Sequence, residues 1–242
     1  MDALILAGGE NKRLPVLKGF LEVNGKKIIE SNIELLSRIF DRVIISTDKP
    51  ELYFPFGVLV LGDIIKYKGP MLGIFSALTV PGISDIFVTA CDMPFIKPEL
   101  IRYIVDKYNT QNLVLPTHPS SSPCAVSFTT TRGERGEGKG RGENIGREPW
   151  ALGSYQKWDA AIPIFAKRPQ PLLGIYSKRV VEDMEENIKQ GKRSLKQFLH
   201  KINVLYIEEE EVRSIDMEGS SFVNINTRED FQKEIGGKIC LV

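Results

Sequence analysis

Short apolar runs alternate with amphipathic stretches along the first half of the chain, and this alternation constrains the fold more than any other feature. Residues 2–7 (DALILA) form a continuous apolar run, which is typical of a strand buried on both faces of a parallel sheet. Residues 28–40 then place Ile29, Ile33 and Leu36 on one helical face. Strands and helices that alternate in this way predict an α/β fold, with helices covering a parallel sheet.

The same alternation continues along the chain. Further strands are predicted where apolar, β-branched runs recur, at residues 42–47, 58–61, 85–90, 112–117, 171–176, 203–208 and 222–226. Amphipathic segments, some of them opened by proline, predict helices at residues 69–78, 97–108, 180–190, 194–202 and 227–235. The chain of 242 residues is long enough for one large α/β domain.

Residues 119–170 interrupt this pattern with glycine and charge, as in the run TRGERGEGKGRGENIGREP. A segment with so few large apolar residues cannot bury enough surface to offset the entropy lost on ordering. Short apolar patches at 124–128 and 160–166 flank its centre and could pair as a hairpin. We therefore predict a single domain over residues 1–242, with an insertion at 119–170.

Composition excludes several classes of function. The 32 basic and 31 acidic residues nearly cancel, so the net charge gives no general reason to bind nucleic acid or an anionic membrane. No apolar stretch reaches the roughly 20 residues that span a bilayer, and no leader pattern precedes the first strand. Cys91, Cys124 and Cys240 form no CxxC pair, which argues against a disulfide framework or a zinc site. We expect a cytoplasmic protein.

The first strand leads into a glycine loop with two cations, in the stretch LILAGGENKRLPVLK (residues 4–18). Gly8 and Gly9 allow a sharp turn that points successive N–H groups at an anion, and Arg13 and Lys18 could reach its phosphates. The loop matches neither the Walker pattern nor GxGxxG, so a plain glycine turn with solvated cations stays open. Its position favours a ligand, because open parallel sheets bind ligands at the carboxyl ends of their strands.

Two acidic residues follow predicted strands. Asp92, in VTACDMPF, is placed to hold Mg²⁺, which bridges phosphate oxygens, although an N-cap or turn role before Pro94 is the alternative. Asp63 follows the run at 58–61 and could accept hydrogen bonds from a base or ribose. A surface turn acid is the simpler interpretation of Asp63.

A pair of asparagines lies in FVNINTRED, near the end of the chain. Asn224 and Asn226 alternate with Val223 and Ile225, so both amides would share one face of the strand predicted there. Amides at that spacing need hydrogen-bond partners, which a ligand or a hydrated metal would supply. Bonding within a turn is the structural alternative.

Four motifs occur in an order that is specific in combination: LILAGGENKR followed by a lysine, an aspartate followed by GPMLGI, ACDMPF, and FVNINTRED. On these motifs the chain resembles MobA-type molybdenum cofactor guanylyltransferases over residues 1–118 and 171–235. The resemblance implies a Rossmann-like three-layer α/β/α sandwich with a mostly parallel sheet. It also implies transfer of GMP from Mg-GTP to the phosphate of molybdopterin, with release of pyrophosphate.

The resemblance carries roles over to individual positions. It implies that GTP is bound by Leu6, Ala7, Gly8, Gly9, Lys18, Asp63 and Asp92. It implies catalytic roles for Arg13, Lys18 and Asp92, with Asp92 holding Mg²⁺. The acceptor side would be lined by Asn224 and Asn226. Beyond GTP and a molybdopterin-type acceptor, it implies contact with proteins that make or receive the molybdenum cofactor.

The sequence departs from the family pattern in two places. Leu14 and Pro15 follow the loop arginine where the family often has Met-Gly, which stiffens the loop. Ser46, Thr47 and Asp48 stand where the family often has an asparagine after the second strand. One contact to the base or ribose is therefore not carried over.

Two alternative functions stay open on the sequence. Related folds use CTP with the same pterin, GTP with cobinamide phosphate, or other nucleotides with sugar or lactyl phosphates. The Gly8-Gly9 pair resembles the guanylyl branch, because it removes a Cβ near the base. The second alternative is a non-catalytic module that binds GTP or a partner and uses the glycine-rich segment to interact with that partner.

Overall fold

A computed structural model describes residues 1–8, 17–62, 69–113 and 157–225. The strands in these ranges are β1 (Asp2–Leu6), β2 (Glu22–Val23), β3 (Lys26–Lys27), β4 (Val43–Ser46), β5 (Leu59–Leu61), β6 (Asp85–Ala90), β7 (Ala160–Phe165), β8 (Arg168–Pro169), β9 (Leu173–Ser177) and β10 (Val204–Ile207). The helices are α1 (Ile28–Ser37), α2 (Pro70–Leu78), α3 (Pro98–Leu113), α4 (Val181–Lys189), α5 (Leu195–Leu199) and α6 (Glu209–Ile215). Within the described ranges, no helix combines the length and the apolar character needed to cross a membrane.

The described part of the chain forms one eight-stranded sheet in the order β10-β7-β9-β6-β1-β4-β5, with β8 beside β7. The first predicted strand, β1, lies inside the sheet and pairs in parallel with both β4 and β6. Strand β9 runs antiparallel to its neighbours β6 and β7, while β10 pairs in parallel with β7. The sheet is therefore mixed, with a parallel β6-β1-β4-β5 half that positions the predicted loop residues at one edge.

Two hydrophobic cores lie on opposite faces of the sheet. Ala3 and Ile5 of β1 belong to the core that α1, α3 and α6 cover. Leu4 belongs to the other core, which α2, α4 and α5 cover. Because successive side chains of a strand point to opposite faces, the continuously apolar run of β1 supplies both cores. The predicted α/β class and three-layer α/β/α arrangement are confirmed.

One predicted strand, 112–117, is wrong where the structure describes it. Residues 112 and 113 extend α3, and residues 114–117 lie outside the described ranges. The last turn of the helix is fastened by Asn112, whose Oδ1 accepts a hydrogen bond from the backbone N of Trp158 at 2.9 Å. The apolar residues of NLVLPT predicted a strand. In the structure α3 continues through Asn112 and Leu113, and the hydrogen bond to Trp158 holds its end.

The strand predicted at 222–226 is also not formed over its described residues. Ser220–Phe222 form a 3₁₀ turn, and residues 223–225 belong to no strand. The N–H of Ile225 donates to the carbonyl of Asp92 at 3.0 Å, a loop contact. The alternating apolar pattern correctly indicates a buried Ile225. Its side chain is buried in a loop, however, and not in a strand.

The predicted insertion at 119–170 overlaps the sheet at its C-terminal end. Residues 160–165 form β7, which pairs with β10 on one side and with β9 on the other. The proposed hairpin partner, 124–128, lies outside the described residues, as does the predicted helix at 227–235. Strand β7 is buried over residues 160–163, so this part of the segment contributes to the core.

Candidate functional site

The candidate site begins where three parallel strands end side by side. The register places Leu6, the last residue of β1, beside Ser46 of β4 and Ala90 of β6. The hydrogen-bonding ladder runs one residue further, since Ala7 N donates to Ser46 O at 2.8 Å and Cys91 N donates to Leu6 O at 3.0 Å. The residues that follow these strands therefore emerge at one edge of the sheet, where parallel sheets bind ligands.

The start of the glycine loop is held by a hydroxyl group from the neighbouring strand. Thr47 Oγ1 donates to the carbonyl of Ala7 at 3.3 Å and accepts from the backbone N of Lys49 at 3.1 Å. Ala7 is buried, and the next residue, Gly8, is exposed. On the sequence alone, Thr47 is only part of a departure from the family pattern. The feature of the sequence that could have indicated its role is its position directly after β4.

Lys18 and Asp92 form an ion pair across the site. Lys18 Nζ lies 3.0 Å from Asp92 Oδ2, although the two residues are 74 positions apart. Their side chains are 26% and 16% exposed, so solvent or a ligand still reaches both. Lys18 is thus more than a solvated loop cation. Asp92 is also not the N-cap of the following helix, because α3 begins at Pro98.

The approach of the loop to β6 depends on Gly19. This residue lies in the 3₁₀ turn Lys18–Phe20 and is buried. A Cβ at position 19 would lie 3.3 Å from Cys91 Cβ and 3.5 Å from Ile29 Cβ. Because Gly19 has no side chain, the turn can pack directly against Cys91. This contact places Lys18 beside Asp92, the residue after Cys91.

The Cys91 thiol is close enough to this ion pair to feel both charges, and it is unreactive. Burial of the thiol raises its pKa to about 12, and the negative charge of Asp92 adds to the rise while Lys18 opposes it. A thiol must lose its proton to act as a nucleophile. Cys91 is therefore neutral near pH 7, and covalent catalysis through it is not supported.

The donor set around Asp92 fits magnesium. Asp92 lies at the carboxyl end of β6, and the residues that the structure describes include no cluster of three or more His, Cys, Asp or Glu side chains that could hold a metal. Mg²⁺ is commonly held by one or two carboxylates, with substrate phosphates and water completing its shell. A single partly exposed carboxylate matches that chemistry.

The C-terminal asparagine motif reaches the same loop. Ile225 N donates to Asp92 O at 3.0 Å, and the Ile225 side chain packs with Leu21 and Ile28. The preceding residue, Asn224, is exposed, and its Nδ2 lies 3.5 Å from the carbonyl of Phe222. Asn224 is thus one residue away from the backbone contact to Asp92. The sequence predicted a shared strand face instead.

Helix α2 packs against the strand ends that carry the site. It follows Gly69, whose φ of 140° is a conformation that glycine adopts readily, and Pro70 occupies its first turn. A Cβ at Gly73 would lie 2.5 Å from Leu6 Cδ2 and 2.8 Å from Ser46 Oγ. Only glycine allows the helix to approach β1 and β4 this closely.

Six of the predicted site residues lie in the described ranges, and they lie on segments that meet at this edge: Leu6, Ala7, Gly8, Lys18, Asp92 and Asn224. The other predicted site residues lie outside the described residues: Gly9, Arg13, Asp63 and Asn226. Sequence reasoning did not find a second set of contacts, around Lys97, because its partners are more than 100 positions away.

Comparison with known proteins gives one consistent result. Residues 3–205 match the family model described as MobA-like NTP transferase domain. The chain is 30% identical over 232 residues to a probable molybdenum cofactor guanylyltransferase of Peptoclostridium acidaminophilum, covering 96% of this chain and 87% of that protein. It is 29% identical to the molybdenum cofactor guanylyltransferase of Syntrophotalea carbinolica, covering 96% of this chain and 89% of that protein. A solved structure, molybdopterin-guanine dinucleotide biosynthesis protein A from Archaeoglobus fulgidus, superposes with a TM-score of 0.70 at 25% identity, covering 97% of each chain.

Proposed function

Because the chain belongs to the family of MobA-like NTP transferase domains, we propose that it transfers GMP from Mg-GTP to the phosphate of Mo-molybdopterin. The products are the guanine dinucleotide form of the molybdenum cofactor and pyrophosphate. The names of the relatives support this choice of donor and acceptor. The observation that carries the proposal is the Lys18–Asp92 pair, which joins a phosphate-binding cation to a metal-binding carboxylate at the ligand edge of the sheet.

The transfer is an in-line displacement at phosphorus. An oxygen of the acceptor phosphate forms a bond to the α-phosphorus of GTP, and the bond to pyrophosphate breaks with its electron pair leaving on pyrophosphate. A phosphate monoester is already anionic near neutral pH, so the reaction needs no strong general base. Catalysis then rests on positioning and on stabilising charge, as in other phosphoryl transfers.

Within this proposal Lys18 binds the triphosphate and neutralises charge on the leaving pyrophosphate. Asp92 holds Mg²⁺, which draws charge from the phosphate oxygens when it is bound. Leu6, Ala7 and Gly8 present the start of the loop to the nucleotide. The further roles assigned by resemblance are triphosphate binding by Gly9 and Arg13, nucleotide binding by Asp63, and acceptor binding by Asn224 and Asn226.

The contacts of Gly8 leave the choice of nucleotide open. A Cβ added to Gly8 would come no closer than 3.9 Å to Thr47 Cα and Asp48 N, which is an ordinary contact. The described protein atoms therefore do not require glycine at this position. The preference for GTP rests instead on the likeness of the Gly8-Gly9 pair to the guanylyl branch.

The protein partners and the location of the reaction follow from the same proposal. Mo-molybdopterin has to be received from a protein that makes it, and its guanylated form has to be passed to a protein that uses it. The three cysteines are odd in number and widely spaced, unlike a disulfide framework, and we place the reaction in the reducing cytoplasm.

The test is to incubate the protein with GTP, Mg²⁺ and a molybdopterin-bearing extract, and to measure pyrophosphate and guanylated pterin. Asp92→Ala should abolish turnover, because the metal loses its carboxylate. Lys18→Ala should lower turnover by about 100-fold or more, the effect of losing a charged phosphate contact.

Matched controls come from an exposed ion pair on α4, Glu185–Lys189, whose Nζ and Oε1 atoms are 2.7 Å apart. Glu185→Ala and Lys189→Ala should keep wild-type turnover. Near-normal turnover in Asp92→Ala or Lys18→Ala would contradict the proposal. Nucleotide binding by the wild-type protein without pyrophosphate release would indicate a non-catalytic module instead.

A further inference from the structure

Three residues fasten the segment that carries Asn224 to the loop after β6: Lys97, Asp216 and Ser221, which we call the lock. Lys97 Nζ lies 3.1 Å from Asp216 Oδ1 and donates to the carbonyl of Ile215 at 3.3 Å. The backbone N of Lys97 donates to Ser221 Oγ at 3.0 Å. The lock therefore joins the residue that precedes α3 to the chain that follows α6.

Asp216 is the centre of the lock. Its side chain is fully buried, and its carboxylate accepts hydrogen bonds from Ser220 N at 3.1 Å, Ser220 Oγ at 3.0 Å and Ser221 N at 2.8 Å. A buried carboxylate is tolerated only when such donors and a cation replace its water. Burial acts to raise its pKa, but the hydrogen bonds from Ser221, Lys97 and Ser220 outweigh it and lower the pKa to about 2.

The segment beyond the lock leads to the candidate site. Phe222 closes the 3₁₀ turn that begins at Ser220, and its ring stacks on Phe165 of β7 at 5.0 Å between centroids. Three residues further on, Ile225 N donates to Asp92 O at 3.0 Å. Asn224 lies between these two attachments. The lock and the Ile225 contact therefore hold the segment that bears Asn224 at its two ends.

We propose that Lys97, Asp216 and Ser221 are positioning residues for the transfer reaction, holding residues 222–225 so that Asn224 keeps its distance from Asp92. The inference rests on the proposed function, in which Asn224 binds the acceptor and Asp92 holds the metal. The three residues act through the backbone of this segment.

The lock acts on the acceptor rather than on the nucleotide. The Asp92 loop has anchors of its own, because Cys91 N donates to Leu6 O and the Asp92 carboxylate pairs with Lys18. The segment that bears Asn224 depends instead on the lock, on the Phe222 stack and on Ile225. Loosening the lock should therefore weaken acceptor binding and leave GTP binding intact.

The experiment compares the steady-state kinetics of Lys97→Met and Ser221→Ala with those of the wild type. In each variant the KM for the pterin acceptor should rise by about tenfold, as expected when one hydrogen bond to a charged or buried group is lost. The dissociation constant of Mg-GTP should change by less than about twofold. Lys97→Arg should restore most of the acceptor KM, because it keeps the positive charge.

A matched control lies on α3 and α6, the two helices that the lock adjoins. Lys107, about 15 Å along α3 from Lys97, binds Glu211 Oε2 of α6 at 2.6 Å. Lys107→Met should lower the melting temperature and leave the acceptor KM unchanged. Hydrogen exchange of a peptide spanning 218–225 should become faster in the lock variants and stay unchanged in Lys107→Met.

Two results would overturn the lock as a positioning device. One is an acceptor KM within about twofold of wild type in both Lys97→Met and Ser221→Ala, given that the wild type is active. The other is unchanged exchange of the 218–225 peptide, which can be measured whatever the protein catalyses. A wild-type protein that transfers no GMP to any acceptor would count against the proposed function instead.

Discussion

Lys18 and Asp92 satisfy each other's charge across the candidate site. The Lys18 ammonium lies 3.0 Å from the Asp92 carboxylate, which we propose as the metal ligand. Lys18 and Mg²⁺ would therefore compete for the same carboxylate. A triphosphate offers Lys18 a stronger partner, and its arrival would leave the carboxylate open to Mg²⁺. If Asp92 holds the metal as proposed, we expect the metal to bind together with the nucleotide rather than before it.

Lys18→Met tests this competition directly. It removes the ammonium and keeps an apolar stem, so the nucleotide-free variant should bind Mn²⁺ about fivefold more tightly, the worth of a partly exposed ion pair. The same variant should bind Mg-GTP at least about tenfold more weakly, because a charged phosphate contact is lost. Titration of Mn²⁺ by electron paramagnetic resonance and calorimetry with Mg-GTP measure the two effects.

Lys189→Met is the matched control for Lys18→Met, because it breaks a lysine–glutamate pair on α4 at the surface. It should change neither affinity. Weaker Mn²⁺ binding in Lys18→Met would show that Lys18 supports the metal carboxylate and does not compete with the metal.

At the scale of elements, helix α2 decides how the strand ends are arranged. Residues 71–78 of this helix are all buried, and Gly73 brings the helix axis against Leu6 and Ser46. The Gly-Pro entry to the helix was readable in the sequence. The need for glycine in the middle of the helix was not, because helix propensity alone disfavours it.

Gly73→Ala should destabilise the protein, against the trend of helix propensity. A methyl group would meet Leu6 Cδ2 at 2.5 Å and Ser46 Oγ at 2.8 Å, and the overpacking should cost about 1–3 kcal/mol of unfolding free energy in urea. The affinity for Mg-GTP should fall as well, because Leu6 ends the strand that precedes the glycine loop and Ser46 ends the strand beside it.

Gly62→Ala is the control for this effect. Its added Cβ meets no atom of the described residues within 4 Å, and its backbone lies outside the left-handed region. The variant should unfold within about 0.5 kcal/mol of wild type, as is usual for a surface change. A Gly73→Ala protein as stable as Gly62→Ala would show that α2 can move away from the sheet at little cost.

Most helices and strands were predictable because their patterns are local. Strand β6 at Asp85–Ala90 and helix α2 at Pro70–Leu78 agree closely with the patterns read at 85–90 and 69–78. The hairpin β2-β3 was missed although Asn24-Gly25, both at positive φ, is a typical hairpin turn. Its strands have only two residues each, too few for an alternating pattern to show.

At the scale of the whole molecule, the sheet and its two helical layers together support the edge where we propose that the nucleotide binds. A ligand that binds only the folded protein stabilises that fold by mass action. Nucleotide specificity can therefore be read from global unfolding without knowing the acceptor.

Mg-GTP should raise the melting temperature more than Mg-CTP or Mg-ATP. At 100 times its dissociation constant a ligand adds about 2.7 kcal/mol, which for a chain of this size corresponds to about 5–10 °C. The Lys18→Ala protein should show a much smaller shift with the same nucleotides. A larger shift with CTP than with GTP would favour the cytidylyl alternative, and differential scanning fluorimetry distinguishes the two.

The sequence by itself determined the α/β class, the order of its main strands and helices, and the placement of Gly8 and Asp92 after buried strands. Those features follow from hydrophobic periodicity and from the rule that parallel strands end at a common edge. Only the tertiary structure decided that Lys18 pairs with Asp92, that Ile225 bonds to the Asp92 carbonyl and that Asp216 joins Lys97. These contacts link residues 74 to 133 positions apart, and local patterns carry no information about such pairs, which packing of the whole chain creates.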